Sequence, residues 1–177
     1  MPKPIQYFAI WLVPGQPDNE YFAGRIQDFS QRFGAIPFPP HLTLYAGVNQ
    51  PIESIRTAIE VVFRGVTSLT LVGTGLQISP SFFKTLFVEF APHPDLAALA
   101  LRLQQQLDPV RQREFHPHLS LRYHDLPLQE KEALLTQMTW EARTIRFDEV
   151  CVVFPPSGER GWKEIAAWKT VYRQQVG

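Results

Sequence analysis

Pro40-His41-Leu42-Thr43-Leu44 returns 77 residues later as Pro117-His118-Leu119-Ser120-Leu121, with Ser in place of Thr. Each copy reads as the start of a β-strand. Proline is tolerated at a strand's first position, and the apolar/polar alternation has the two-residue period of a pleated strand. That period puts His41 and Thr43 on one face, with Leu42 and Leu44 on the other. The second copy repeats the arrangement with His118 and Ser120 in front and Leu119 and Leu121 behind. Each strand therefore carries an imidazole and a hydroxyl roughly 7 Å apart along the backbone, anchored by leucine. Core strands whose histidines are satisfied by neighbours are the plain alternative. Two imidazoles with matched hydroxyls are hard to explain by packing alone.

Working outward, residues 5–13 alternate Phe8, Ile10 and Leu12 against Tyr7, Ala9 and Trp11, a first strand that Pro14-Gly15 ends. The run is too short to span a membrane and holds Gln6, so it reads as neither anchor nor leader. Asp18 is expected to cap a helix over 19–33, closed by Gly34. Residues 36–40, with three prolines, make a stiff approach to His41 that limits where it points. A helix is expected over 51–64, then strands over 68–78 and 83–90 joined through Ser79-Pro80-Ser81. A third helix over 94–107 is striped by Leu96, Leu99, Leu101 and Leu103. The second histidine strand follows, then a helix over 127–138 and strands over 144–154 and 164–172. Strand, helix and histidine strand thus occur twice. This order reads as an internal duplication within one domain, residues 1–177, whose two lobes face each other across a cleft.

Composition agrees with a globular protein acting on a small ligand. The 177 residues are 45% hydrophobic and 19% charged, and 17 basic residues balance 17 acidic ones. A protein gripping a long nucleic acid through many phosphates carries a basic excess, and none exists here. Cys151 is the only cysteine, so no internal disulfide and no thiolate metal cluster can form, which suits a reducing, cytoplasmic setting. No cofactor is implied.

An imidazole with an ordinary pKa near 6.5 serves as either base or acid. Two of them can take a proton from water and give one to a leaving group, while the hydroxyls of Thr43 and Ser120 donate to phosphate oxygens. These residues resemble the two-histidine phosphoesterases, which carry one His-x-Thr/Ser motif per lobe, and within them the cyclic phosphodiesterase group. Residues 40–44, residues 115–123 and the opening Phe8-Ala9-Ile10-Trp11-Leu12-Val13-Pro14 are similar to that group's signatures. The resemblance implies an α+β, bilobal, pseudo-symmetric fold in which two antiparallel sheets line a central cleft, with helices outside. It implies metal-free hydrolysis of ADP-ribose 1″,2″-cyclic phosphate, a product of tRNA splicing, and of nucleoside 2′,3′-cyclic phosphates to 2′-phosphates. RNA ends or 2′-5′ linkages are the alternative substrates, and a non-catalytic nucleotide-binding module is the alternative function. By position His41 and His118 are catalytic, His118 activating water and His41 protonating the leaving oxygen, while Thr43 and Ser120 hold the phosphate. A monomer is expected, and redox control is not, since the disulfides of plant members have no counterpart.

Beyond the motifs, Tyr123 matches a tyrosine the group places near substrate, though a core role suits it equally. Trp11, Tyr7 and Phe83 are candidates to stack on a nucleobase, against a plain reading as core. Arg122 shares the His118 face and is a candidate for a second phosphate or for solvent. Residues 157–161 form a lid or an ordinary turn. His116 alternates with His118 as metal ligands do, but no third ligand is in view. His93 and His124 are expected to be exposed.

Overall fold

The computed structural model describes residues 5–111, 114–156 and 161–177. Its elements are strand β1 (Tyr7–Pro14), helix α1 (Asp18–Phe33), strand β2 (Leu42–Val48), helix α2 (Ile52–Val62), strands β3 (Leu69–Gln77) and β4 (Leu86–Phe90), helix α3 (Pro94–Leu107), strand β5 (His118–Arg122), helix α4 (Leu128–Thr136) and strands β6 (Arg143–Phe154) and β7 (Lys169–Gln175). The α+β class and the run of alternating elements follow the expected order. Among the described residues no helix is long and apolar enough to cross a membrane.

The strands form one antiparallel sheet in the order β1-β2-β5-β4-β3-β6-β7, and β1 also pairs with β6. The two expected sheets are therefore halves of a single sheet that closes on itself. β1 lies between β2 and β6, so Phe8 through Leu12 are all buried, at 4% exposure or less. Its alternation separates two covered faces, not a wet face from a dry one. The halves meet where β2 pairs with β5, a ladder one register pair long at Leu42 and Leu119. Leu42, Leu44, Leu119 and Leu121 are all buried, which anchors both histidine strands from behind.

Helix α1 buries Phe22, Ile26 and Phe29, and Gly34 ends it in the left-handed region (φ 68°) that glycine enters without steric cost. Asp18 does not cap this helix. It sits in the first turn and accepts from Arg143 Nη2 at 2.7 Å and the Arg146 amide at 3.0 Å, tying α1 to β6. In α3 the buried stripe is Leu96, Leu99, Ala100, Leu103 and Leu107; Leu101 points outward. His93 caps α3, its Nδ1 accepting from the Leu96 amide, and is half-buried instead of exposed.

Two strands start later than expected. A 3-10 turn, Phe82–Lys84, delays β4 until Leu86, and 3-10 turns at Gly161–Lys163 and Ile165–Ala167 delay β7 until Lys169. The first places Phe83 and Lys84 beside β5. Beneath it Lys131, buried at 1% exposure, donates to the carbonyls of Ser79, Pro80 and Ser81 at 2.8, 3.2 and 3.3 Å. Of the suggested lid, residues 157–160 lie outside those described.

Candidate active site

The Leu42–Leu119 pair decides where the motifs meet. Carried one residue to either side, the antiparallel register sets His41 against Ser120 and Thr43 against His118. All four side chains leave the face opposite the leucines, because side chains alternate along a strand. Two imidazoles and two hydroxyls thus occupy the corners of one small patch. His41 and His118 lie on its diagonal, where cross-strand neighbours are roughly 7–8 Å apart.

His41 is 4% exposed. Its ring stacks on Trp11, centroids 3.7 Å apart at 12°. Nδ1 lies 2.7 Å from the Pro39 carbonyl and Nε2 lies 3.2 Å from the Tyr123 hydroxyl. A carbonyl only accepts, so Nδ1 carries the proton, and neutral His41 receives the phenol's hydrogen at Nε2. The proline-rich approach thus positions the ring through its own backbone oxygen. His118 repeats the device: its Nδ1 lies 2.9 Å from the His116 carbonyl, leaving Nε2 as acceptor. The two histidines are matched in tautomer as well as in motif.

Burial pushes His41 down to about 3, opposed by the bond to Pro39, with His118 lowering it further. Burial pushes His118 down to about 4, opposed by the His116 carbonyl and assisted by Lys84 and His116. Both imidazoles are therefore neutral at pH 7. Tyr123 is pushed up by burial and remains a phenol.

The hydroxyls are less alike than their motifs. Thr43 lines a cavity of about 310 Å³ together with Lys84, His116 and His118. Ser120 is 2% exposed and donates to the Phe83 carbonyl at 2.7 Å, so its proton is engaged within the protein. Tyr123 touches His41 and packs on Phe38, centroids 4.1 Å apart.

Several candidates take other roles. Trp11, stacked on His41 and against Trp168 and 4% exposed, has no open face for a nucleobase; it supports the imidazole. Phe83 and the exposed Tyr7 do line a second cavity, about 390 Å³, with Trp168 and Arg111. Arg122 is neither solvated nor in the cleft: it is buried, with Nη2 donating to the Phe33 carbonyl at 3.0 Å and its guanidinium 4.9 Å over the Phe33 ring. It therefore caps the negative end of α1. His116 turns toward Glu89 and Lys84, and no group of three metal-ligating side chains forms among the described residues. His124 is half-buried, its amide donating to Thr85 Oγ1 at 3.0 Å. Lys84 and Phe38 are the site residues that sequence reasoning missed. Neither sits in a motif.

The model of the 2'-5' RNA ligase superfamily matches residues 13–155. The chain belongs to that superfamily. It is the two-histidine phosphoesterase superfamily, the one the paired motifs resemble. Among its relatives, a Kluyveromyces lactis 2′,3′-cyclic-nucleotide 3′-phosphodiesterase is 28% identical over 137 residues, covering 67% of this chain and 64% of that protein. An Arabidopsis thaliana cyclic phosphodiesterase is 19% identical over 125 residues, covering 71% and 69%. The match thus spans a little under two thirds of the length of the Kluyveromyces protein. Escherichia coli LigT complexed with NADP+ superposes with a TM-score of 0.63 at 16% identity, covering 98% of this chain and 99% of that one. At that identity the superposition shows a shared fold.

Proposed function

We propose that this superfamily member hydrolyses small cyclic phosphates, nucleoside 2′,3′-cyclic phosphates and ADP-ribose 1″,2″-cyclic phosphate, by acid–base catalysis between His118 and His41. The observation that carries the reading is the four-cornered patch around Leu42 and Leu119. Two imidazoles of the same tautomer, each presenting Nε2 as the nitrogen that can take up a proton, suit in-line attack on phosphorus once one of them is protonated. The names of the two curated relatives support it, and the LigT structures with ATP, 3'-AMP and phosphate support a small nucleotide as ligand.

In the reaction, His118 Nε2 removes a proton from water as its oxygen bonds to phosphorus. The bond from phosphorus to the 3′ oxygen breaks, and protonated His41 gives that oxygen its proton, leaving a nucleoside 2′-phosphate. His41 must gain a proton first. The arriving phosphodiester anion favours this by drawing the imidazole's pKa back up. Thr43 donates to a non-bridging oxygen, and Ser120 does so once its hydroxyl leaves Phe83. Phe83 and Tyr7 wall the nucleobase. Relief of ring strain in the cyclic ester assists cleavage, and no step is drawn through a metal.

Phosphorus NMR of the purified chain with a 2′,3′-cyclic nucleotide and with ADP-ribose 1″,2″-cyclic phosphate, in EDTA, tests the reading. A phosphomonoester resonance, the 2′-phosphate in the case of the nucleotide, is expected to grow in while the cyclic one disappears. Tight binding without turnover, in EDTA and in added metal alike, would leave a binding module. The superfamily's description favours one second reading, 2'-5' linkages or RNA ends. Much faster turnover of an oligonucleotide than of a mononucleotide bearing the same cyclic end would select it.

A further inference from the structure

The four motif side chains carry no charge of their own. A phosphodiester arrives with one negative charge and gathers more as the fifth oxygen approaches, yet both imidazoles are neutral and both hydroxyls uncharged. Among the described residues lining the cavity of Thr43 and His118, Lys84 is the one lysine or arginine. It ends the 3-10 turn Phe82–Lys84, a turn held from below by the buried Lys131.

Its ammonium is held in place. Nζ lies 3.3 Å from His116 Nδ1, an ammonium can only donate, and so His116 accepts there and carries its proton on Nε2, which faces Glu89 Oε1 at 3.6 Å. The His116 carbonyl in turn receives Nδ1 of His118. Lys84 is thus joined through one residue to the imidazole read as the base. An ammonium has three hydrogens; one is spent on His116, and the others are available to the cavity. Burial lowers the pKa of the ammonium; Glu114, on the same wall, opposes that and favours the charged form, while competing with an anion for it.

We propose that Lys84 binds the reacting phosphate, donating to a non-bridging oxygen between Thr43 and His118. This rests on the hydrolase reading and extends it. A cation on the His118 side also breaks the site's symmetry. Its charge opposes a second positive charge on the resting His118, a pressure that His41, across the diagonal, does not take from it.

The test compares wild type with Lys84→Met and Lys84→Arg in the full chain. Three quantities are read: Kd for a nucleoside 2′-monophosphate, kcat and KM on the 2′,3′-cyclic nucleotide, and the salt dependence of each. Lys84→Met is expected to weaken product binding and raise KM by roughly tenfold to a hundredfold, the value of one charge-assisted hydrogen bond, and to flatten the salt dependence. Lys84→Arg should recover most of both. If Lys84→Met does not fold, Lys84→Gln is read in its place. Wild-type Kd, KM and salt slope in the uncharged variant would overturn the proposal while leaving the hydrolase reading intact. Lys84-dependent binding in a chain that turns over no cyclic phosphate would do the reverse.

Discussion

The hydroxyl of Tyr123 lies 3.2 Å from Nε2 of His41, an atom 82 residues earlier in the chain. Because Nδ1 donates to Pro39, the phenol is the donor, and it favours the neutral ring. Tyr123→Phe keeps the stacking on Phe38 and removes only that donor. Burial holds His41 down to about 3, and its midpoint is expected to rise in the variant. Nitrogen-15 NMR titration of the ring reads it directly, and a midpoint that fell would mean that the hydrogen bond runs the other way.

Replacing either histidine with alanine is expected to lower turnover of the cyclic nucleotide by roughly 10²–10⁴, and the double variant should be little worse than either single. Stability should separate what activity does not. His41 is 4% exposed and stacked on Trp11, so His41→Ala opens a cavity in packed surroundings, whereas His118 borders an open one. Thermal unfolding should therefore fall further for His41→Ala. Full activity in His118→Ala would end the catalytic proposal.

The order of elements and the paired motifs were legible because both are local: a two-residue period, a helical stripe, a proline, a glycine. What escaped was set by partners distant in sequence. Arg122 reads as a surface cation until Phe33, 89 residues earlier, supplies a carbonyl. Lys84 carries no motif, and its partner His116 lies 32 residues on. Trp11 alternates as a half-buried strand residue should, yet β1 has strands on both sides and both faces covered. Asp18 offered a cap, but Arg143 and the Arg146 amide were stronger claimants. The single closed sheet needed the β1–β6 pairing, which no local pattern announces.

Acid should destabilise the fold through these same rings. His41 and His118 are held neutral, down to about 3 and about 4 from 6.5, so below pH 6.5 the unfolded chain binds protons that the native state refuses. Stability then rises with pH through this window: their contribution is whole above about 6.5 and drains away as pH falls toward 4 and then 3. Urea midpoints taken from pH 7 to pH 4 should decline, and His41→Gln should flatten the slope. An equal slope in that variant would show that the buried imidazole is not the proton acceptor.

Lys131 is expected to control the site from outside it. It is 1% exposed, and its ammonium satisfies three successive carbonyls, those of Ser79, Pro80 and Ser81. The turn they begin carries the Phe83 carbonyl that holds Ser120, and then Lys84. Lys131→Met fills similar space but leaves the carbonyls without their donor. Hydrogen bonds to a charged group are worth about 1.5–3 kcal/mol each at most, and because one ammonium serves all three, a loss of about 2–4 kcal/mol overall is expected. Hydrogen exchange should quicken at the amides of Ser79, Ser81 and Lys84, each bonded within this turn, while the paired amides of β1 and β6 keep their protection. Turnover should fall with it, since Lys84 and Ser120 lose their common support. A variant as stable as wild type, with slow exchange at Lys84, would show that the turn stands without its lysine.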